Sequence, residues 1–437
     1  MGETDGGAEA ASRFEREAAA SGLALPTARR LNPRLAAAAI AVLIAASLAV
    51  GYSTGWMNPS HARPNPLAEL PGCAGGISLR VDTEAGSSAS LTSLWGALTS
   101  SFSSATGGCL SVDSVSTANG FDALGSASVA GLIGPEPPAT GSGNALANES
   151  WDIPLLVAPV VVLVNLPGDS GVLNLSGAAL AGVYLGTVNS WSAAGLAGPN
   201  PGLRSSLNVT PVHLVGPSWA NELFSRYLSQ WNATFQEEVG SGANVSWPAG
   251  PGAASPSAVV SLVAGTPGAV GFLPGAVCPS LPAGVACAAL QSGTTDYVSP
   301  TAAAVTAAAS LEANSSAAVH GAWGNVSGVA PVGSAVYPML ETTYAVVYRD
   351  LGNAYGSNLT LNQSKWLIAL LFWVASDTAG TPAALADASG YQTLPSGLAI
   401  MAEETDLNVT YLGSWILIPA SALQEGPGEG GNETGEF

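Results

Sequence analysis

PVHLVGPSWANELFSRYLSQW, residues Pro211 to Trp231, predicts a β-strand, a tight loop and a helix. Pro211 to Val215 is short and contains β-branched valines, and Gly216 and Pro217 end the strand pattern. Ser218 is then a suitable N-cap for a helix whose apolar side chains recur at helical spacing. The free backbone N–H groups of such an N-terminus suit an anion. The alternative is an ordinary strand-loop-helix connection without a ligand.

The composition of the whole chain predicts a folded protein with few charges. The 437 residues allow two or three domain-sized units, and a hydrophobic content of 47% is sufficient for a sizeable core. Only 9% of the residues are charged, so surface polarity must come largely from Ser, Thr, Asn and backbone groups. The net charge of −19 argues against nucleic acid and anionic membrane surfaces as partners.

An uncharged run near the N-terminus predicts a membrane segment. Leu35 to Tyr52 has about the length that spans a bilayer as a helix. Because Arg29, Arg30 and Arg34 precede it, the positive-inside rule places the N-terminus in the cytoplasm. We expect an uncleaved signal anchor and a cell-membrane protein with an extracytoplasmic body; a cleaved signal peptide is the alternative.

Glycosylation sequons and cysteines lie only beyond this run. Glycosylation is therefore a hypothesis for the eleven N-x-S/T sequons. The four cysteines allow three pairings, of which Cys73 with Cys109 and Cys278 with Cys287 closes two local loops. A metal site is the alternative, but no CxxC or His spacing supports it. The sequon asparagines are Asn148, Asn174, Asn208, Asn232, Asn244, Asn314, Asn325, Asn358, Asn362, Asn408 and Asn432.

The remaining segments suggest how the chain is organised. We expect residues 1–34 to form a cytoplasmic tail, 35–52 the membrane helix, 53–72 a Pro-rich stalk and 421–437 an acidic disordered tail. Between the stalk and the tail, short apolar strands alternate with helical stretches, which predicts βαβ units and a mainly parallel sheet. Leu155 to Val164 predicts a buried strand and Trp366 to Ser376 a buried helix.

Several segments in register resemble the extracytoplasmic phosphate-binding proteins of ABC importers, which have the type II periplasmic-binding-protein fold. The similar segments follow one another in the order of that family and cover roughly residues 76 to 420. The resemblance implies an α/β fold of two lobes with the ligand between them. Lobe one would combine residues 73–155 with 335–420, and lobe two would be 156–334. The segments include VVVLVNLPG (Val160 to Gly168), LNLSGAALAGVYLGTVNSW (Leu173 to Trp191), NVSWPAGPGAASPSAVVSLVAGTPGAVGFLP (Asn244 to Pro274), YPMLETTYAVVYRD (Tyr337 to Asp350) and SGYQTLPSGL (Ser389 to Leu398).

The expected site departs from the pattern of that family. The family's second-lobe loop supplies an Arg, an Asp and then Ser-Gly-Thr at a helix N-terminus. The corresponding residues here are Leu214, Gly216, Ser218, Trp219 and Ala220, so only the serine is retained. Each lost hydrogen bond to a charged ligand is worth about 1.5 to 3 kcal/mol, so the resemblance implies a site of lowered phosphate affinity.

Lobe one would supply the other contacts. The resemblance places Ser87 and Ser88 in its first phosphate loop, Thr117 at its next serine, and Glu136 nearest to the Asp that accepts a phosphate proton. Trp219 would be a gate or a stacking surface, or would pack between the lobes and bind nothing. The expected ligand-binding residues are Ser87, Ser88, Thr117, Glu136, Ser218 and Trp219.

The resulting expectation is a membrane-anchored solute-binding protein that is not an enzyme. Its partners would be phosphate or another small solute and an ABC permease, without a cofactor or a metal, since His61, His213 and His320 are widely scattered. One alternative is a degenerate, non-transporting glycosylated surface or sensor protein with the same fold. An extracytoplasmic phosphatase is a third hypothesis, although no nucleophile or metal ligands stand at recognisable spacing.

Overall fold

Three short strands with intervening helices open the described part of the chain. The computed structural model describes residues 70–71, 77–82, 88–107, 110–115, 117–134, 149–169, 171–275, 281–312, 333–376 and 380–416. These residues belong to one compact unit, Pro64–Phe437. The first elements are β1 (Ile77–Asp82), α1 (Ser88–Thr106), β2 (Leu110–Val115), α2 (Thr117–Gly125) and β3 (Leu132–Gly134).

The middle of the chain begins with the longest strand and continues through short strands and helices. Its elements are β4 (Ser150–Asn165), β5 (Asn174–Leu175), α3 (Gly177–Tyr184), α4 (Ala194–Ala197), β6 (Thr210–Leu214), α5 (Trp219–Trp231), α6 (Ala233–Glu238), β7 (Gly252–Ala253), α7 (Pro256–Gly265), β8 (Ala269–Pro274), β9 (Val285–Cys287), β10 (Ala289–Gln291), β11 (Tyr297–Val298) and α8 (Ala302–Glu312).

The last part returns to the central sheet with one long strand and then adds helices. It comprises β12 (Leu340–Tyr348), α9 (Leu351–Tyr355), a 3₁₀ turn (Gly356–Asn358), α10 (Leu361–Ser376), α11 (Thr381–Ala388), β13 (Gln392–Thr393), α12 (Ser396–Leu407), β14 (Thr410–Tyr411) and β15 (Ser414–Trp415).

β4 holds the central sheet together. The sheet has the order β2-β1-β3-β12-β4-β8-β6-β7, with β9 and β13 also paired to β4. β4 pairs with β12 up to Pro159 and with β8 from Val160 onward, so its partners change at this step. Its sequence is rich in Val and Leu, as expected for a strand that is buried on both faces. Pro154 lies where the register with β12 shifts, and such irregularities are where a strand tolerates proline.

Two hydrophobic cores meet along β4. The first core contains Ala158 of β4 and apolar side chains from α1, β12, α10 and α12. The second core contains Val160 of β4 and apolar side chains from α3, α5, α7 and β8. Tyr337 lies in the second core, and its hydroxyl donates a 2.8 Å hydrogen bond to the Val160 carbonyl. The sequence boundaries of the two lobes stay predictions, whereas the packing divides at the Pro159–Val160 step.

The structure confirms the local predictions and corrects one feature of the sheet. The buried strand predicted at Leu155 to Val164 lies within β4, and the buried helix predicted at Trp366 to Ser376 lies within α10. The fold is mixed α/β, but the prediction of a mainly parallel sheet is wrong. β12 runs antiparallel to both β3 and β4, and β4 runs antiparallel to β8. This happens because β4 and β12 cross between the two cores instead of returning through a helix.

Several predictions concern residues outside the described ranges. These are the cytoplasmic tail, the membrane helix and nearly all of the stalk, as well as the acidic tail. Of the four cysteines only Cys287 is described; it ends β9 and is not a free thiol. Cys73, Cys109 and Cys278 lie outside the described residues, so both disulfide pairings stay predictions.

Within the described residues, no single helix combines the length and the apolar composition that a membrane span requires. One bent pair, α10 with α11, meets the criteria of length and composition jointly.

A buried carboxyl group makes the stability of the fold depend on pH. Asp406, in the last turn of α12, is fully buried, and neither carboxyl oxygen has a hydrogen-bond partner in the described structure. Burial, reinforced by nearby Glu403, raises the pKa of Asp406 well above its ordinary value. The folded state therefore keeps a proton that the unfolded chain releases above about pH 4. Stability is full below that pH and falls as the pH rises toward the raised pKa.

We predict that Asp406→Asn removes this dependence, because the amide carries no proton to lose. The melting temperature of the full chain, measured by circular dichroism between about pH 4 and 7, should fall less with rising pH than that of the unmodified protein. Asp387→Asn, at an exposed position of α11, is the matched control and should leave the profile unchanged. Identical pH profiles for Asp406→Asn and the unmodified protein would contradict the assignment.

Candidate functional site

The parallel strands on both sides of β4 and β12 end toward the same place. β3 runs antiparallel to β12, so it runs toward the start of β12, and its last residue, Gly134, pairs with Tyr344 in the middle of that strand. β8 runs antiparallel to β4, and its last residue, Pro274, pairs with Val160. Since the start of β12 pairs with Pro159, both sets of carboxyl ends point toward the Pro159–Val160 step from opposite sides. Ligands of α/β sheets bind outside such carboxyl ends.

On the second-core side, β6 leads into the N-terminus of α5. β6 is parallel to β8, so its carboxyl end lies at the same edge. The structure confirms Ser218 as the N-cap, since its Oγ accepts a 3.2 Å hydrogen bond from the backbone N–H of Ala220. Its own backbone N–H donates to the carbonyl of Ala243 at 2.9 Å. The first turn of a helix has backbone N–H groups without intrahelical partners, so this edge can donate to an anion.

Asn221 holds the loop before α5 in place, and the sequence analysis missed this role. Its side chain is 1% exposed, and its amide Nδ2 donates to the carbonyl of Gly216 at 2.9 Å. The same Nδ2 lies 3.4 Å from the carbonyls of Leu214 and Ala243. An asparagine three residues after an N-cap carries no signal for such contacts, because Ala243 is distant in sequence.

The structure shows the surroundings of Leu214 and Gly216, the two residues that the resemblance aligns with an Arg and an Asp of the family. Leu214 is 1% exposed and packs in the second core, where an arginine would bury an unpaired charge. Gly216 has a φ of 79°, in the left-handed region that glycine adopts without strain. The loop is therefore built for neutral residues at both positions.

The side chain of Trp219 is buried and does not project from the carboxyl edge of the sheet. Its side chain is 3% exposed and belongs to the second core. Its indole Nε1 has no hydrogen-bond partner in the described structure. In this conformation its ring presents no face for a ligand to stack on, and the residue contributes the backbone N–H of the first helical position.

A glycine-rich segment packs against β6 and fixes its end. β7 pairs with β6 in parallel, and Trp247 stacks on His213 of β6 with ring centroids 5.9 Å apart. A Cβ at Gly252 would lie 2.2 Å from a methyl group of Val215, so only glycine permits this approach. His213 lies in this packing and places its Nδ1 3.2 Å from the Leu214 carbonyl.

Buried aromatic side chains of the second core pack close to β6. Tyr184 contacts Phe224, Trp247 and Phe272, and its hydroxyl donates to the carbonyl of Val212 at 3.0 Å. Burial raises the pKa of Tyr184 well above its ordinary value, so the hydroxyl keeps its proton and remains a donor. The strand that carries the loop is thus packed against the second core and hydrogen-bonded to it.

On the first-core side, the topology places the predicted residues at one edge. β1 is parallel to β2 and to β3, so all three carboxyl ends lie together. Ser88 is the first residue of α1, after β1, and Thr117 is the first residue of α2, after β2. Their side chains are not described. Ser87 and Glu136 lie outside the described residues, and Glu136 follows the end of β3 in sequence by two residues.

The described side chains bring no cation to the loop between β6 and α5. Arg226 pairs with Glu222 one turn into α5, and the guanidinium of Arg349 lies 4.2 Å from the ring centre of Trp151. Arg204 lies before β6, at the opposite edge of the sheet. No group of three or more His, Cys, Asp or Glu side chains within the described ranges could hold a metal ion.

Two cavities lie away from the carboxyl edge. One of about 490 Å³ is lined by Asp169, Asn174, Asn200 and Arg204, near the amino end of β6. Its asparagines bond to each other and to backbone, for example Asn200 Nδ2 to the Asn174 carbonyl at 2.8 Å. The other, of about 540 Å³, lies along Gly96 and neighbouring small residues of α1. Neither includes a predicted site residue.

Comparison with known proteins identifies the family. Residues 83–378 match the PBP superfamily domain. The phosphate-binding protein PstS of Xylella fastidiosa (strain 9a5c) is 28% identical over 283 residues, which are 63% of this chain and 73% of that protein. PstS of Methanocaldococcus jannaschii is 30% identical over 267 residues, which are 58% of this chain and 66% of that protein.

Solved structures agree on the fold. The human phosphate binding apolipoprotein superimposes with a TM-score of 0.53 at 18% identity, covering 75% of this chain and 93% of that one. A structure titled DING protein gives a TM-score of 0.53 at 17% identity, with the same coverage. The chain therefore belongs to the PBP superfamily and is a PstS-like protein with a mixed α/β, two-lobed fold.

Proposed function

We propose that this protein is a membrane-anchored, extracytoplasmic solute-binding protein that captures phosphate, or a similar small oxyanion, for an ABC importer. The observation that carries the proposal is the meeting of both sets of strand carboxyl ends at the Pro159–Val160 step, with the Ser218-capped N-terminus of α5 at that edge. The relatives are named phosphate-binding proteins, which supports a binding role over an enzymatic one.

The ligand would be bound mainly by neutral donors. In the second lobe these are the Ser218 hydroxyl and the first backbone N–H groups of α5, including that of Trp219. In the first lobe, Ser87, Ser88 and Thr117 would donate. Glu136 would accept a proton-bearing oxygen of the anion. Two helix N-termini facing one anion add their dipoles, which favour negative charge without a cationic side chain.

The absence of the family's Arg and Asp has an energetic consequence. Charge-assisted hydrogen bonds contribute about 1.5 to 3 kcal/mol each, so losing two or three lowers affinity by about a hundredfold or more. Leu214 is buried and Gly216 has a left-handed φ. Both observations support a loop whose fold requires neutral residues at these positions. The proposed protein therefore binds phosphate weakly and suits a medium where phosphate is abundant.

The location of the protein is part of the same proposal. Leu35 to Tyr52 would anchor the chain, and the body would lie outside the cell beside a permease of the importer. Disulfides between Cys73 and Cys109 and between Cys278 and Cys287 would fit that oxidising location.

A second candidate is the degenerate surface or sensor protein without transport. The burial of Trp219 and the lack of a described cation at the loop favour it, since both remove contacts that a ligand would use. The two candidates differ in whether phosphate binds at all.

We predict saturable phosphate binding. Isothermal titration of the full chain in detergent should give a dissociation constant below about 1 mM, which corresponds to about −4 kcal/mol. Sulfate titrated in the same buffer is the control for a nonspecific anion effect and should bind more weakly, because it lacks a proton for Glu136 to accept. The absence of saturable heat with phosphate up to the millimolar range would reject transport of this ligand and leave the second candidate.

We predict that Ser218→Ala weakens phosphate binding about tenfold, because one hydrogen bond to a charged ligand is lost. It should also lower the free energy of unfolding by about 1 kcal/mol through the loss of the N-cap. Ser176→Ala is the matched control, since Ser176 caps α3 in the same way, through a 3.2 Å bond from Ala179, away from the carboxyl edge. Equal phosphate affinity in both variants would place the ligand elsewhere.

A further inference from the structure

Asparagine occurs in glycosylation sequons far more often than chance allows. The chain has 21 asparagines, and eleven begin an N-x-S/T sequon. Serine and threonine together make up 76 of the 437 residues, so random placement would give about four sequons. All eleven follow the apolar run Leu35 to Tyr52. This enrichment requires an explanation beyond a high Ser and Thr content.

The buried asparagines and the asparagines that begin sequons are different residues in the described structure. The buried asparagines of the described residues are Asn165, Asn200 and Asn221, and none of these begins a sequon. Asn165 and Asn200 donate to backbone carbonyls within the second lobe, as Asn221 does at the loop. The seven sequon asparagines that the structure describes are all exposed or half-buried. Among the described residues, therefore, no fully buried asparagine begins a sequon.

The surface has few charged groups, and a carbohydrate would add polar groups to it. Charged residues make up 9% of the chain, against about 25% in an average protein. Large apolar side chains nevertheless stand exposed, among them Leu207, Leu361, Leu412 and Trp415. Such side chains on a weakly charged surface promote association unless something polar covers them.

We propose that N-linked oligosaccharides on Asn208, Asn244 and Asn358 form this polar cover. In each, the asparagine is exposed and its amide makes no hydrogen bond in the described structure. The Ser or Thr two residues later is exposed or half-buried. In the reaction, the amide nitrogen bonds to the anomeric carbon of a lipid-linked oligosaccharide. The carbon–oxygen bond to the lipid diphosphate breaks, the diphosphate leaves with the electron pair, and the amide proton passes to a base.

Each proposed site belongs to a segment that adjoins, or is bonded to, a loop or hairpin with exposed apolar side chains. Asn208 follows Leu207, which is 39% exposed. Asn358 precedes Leu359, whose carbonyl accepts a 3.1 Å bond from the hydroxyl of Tyr411, in the hairpin that carries Leu412 and Trp415. A glycan at Asn358 would thus cover that hairpin.

Asn244 lies next to a residue that holds the loop between β6 and α5. It follows Ala243, whose carbonyl holds the backbone N–H of Ser218. Val215, in the same loop, is 44% exposed. A glycan at Asn244 would cover this side chain at the outer side of the loop.

Four other described sequons are unsuited to modification in the folded protein. Asn174 is half-buried and donates its Nδ2 to the Pro199 carbonyl, and Asn408 donates its Nδ2 to the Glu404 carbonyl. Asn232 caps α6 through its Oδ1. Asn362 is exposed, but the serine of its sequon, Ser364, is fully buried.

The test is peptide mapping of the full-length protein isolated from its own membranes. N-glycans are released enzymatically in ¹⁸O-labelled water, which converts each glycosylated asparagine to labelled aspartate. We expect labelling at Asn208, Asn244 and Asn358 and none at Asn174. Asn189 and Asn353 are exposed but outside sequons, so they serve as controls for spontaneous deamidation.

Labelling at two or more of the three sites supports the proposal, and labelling at one or none overturns it. The covering role has its own readout. Enzymatic removal of the glycans should raise light scattering of the full chain at a fixed protein concentration, whereas unchanged scattering would reject that role. Both results are independent of whether phosphate binds.

Discussion

The register of β4 against its neighbours is the constraint on which the rest of the structure depends. One continuous strand serves both hydrophobic cores, and its hydrogen-bonding partner changes from β12 to β8 at the Pro159–Val160 step. Because side chains alternate across a strand, a slip of one residue would move every side chain of β4 to the opposite face, where its packing partners differ. The Tyr337 hydroxyl bonded to the Val160 carbonyl fastens the strand at this step. The same register directs both sets of parallel strands toward one place, so the site follows from the pairing.

The part of the proposed site that the structure describes, the loop between β6 and α5, is polar and has no cationic side chain of its own. The Ser218 hydroxyl accepts a bond from the backbone N–H of Ala220, and the loop before α5 is held by Asn221 and Ala243. The first turn of α5 has backbone N–H groups without intrahelical partners. Backbone donors cannot discriminate strongly between oxyanions, because they offer no shaped pair of charges as an arginine does. In the proposed function, the chain would therefore rely on helix dipoles to attract phosphate. The chain as a whole is also poor in charged side chains, which make up 9% of its residues.

Local patterns predicted local structure well. The N-cap at Ser218, the buried strand around Leu155 to Val164 and the buried helix around Trp366 depend on capping and periodicity within a few residues, and the structure has all three. The antiparallel crossing of β4 and β12 was missed, because strand direction depends on partners almost 200 residues apart. For the same reason, the contact of Asn221 with Ala243 had no signal in the sequence, and the sequence could not decide between the packing of Trp219 and a role as gate or stacking surface. Ser87 and Glu136 stay predictions.

The central claim is that an anion lies between the two lobes at the N-terminus of α5. A crystal structure of the full chain grown with phosphate tests it most directly. We expect phosphate within hydrogen-bond distance of the Ser218 hydroxyl and the first backbone N–H groups of α5, with the N-termini of α1 and α2 on its other side. Phosphate bound instead in the cavity beside Asp169 and Arg204, with the edge at Ser218 vacant, would contradict it.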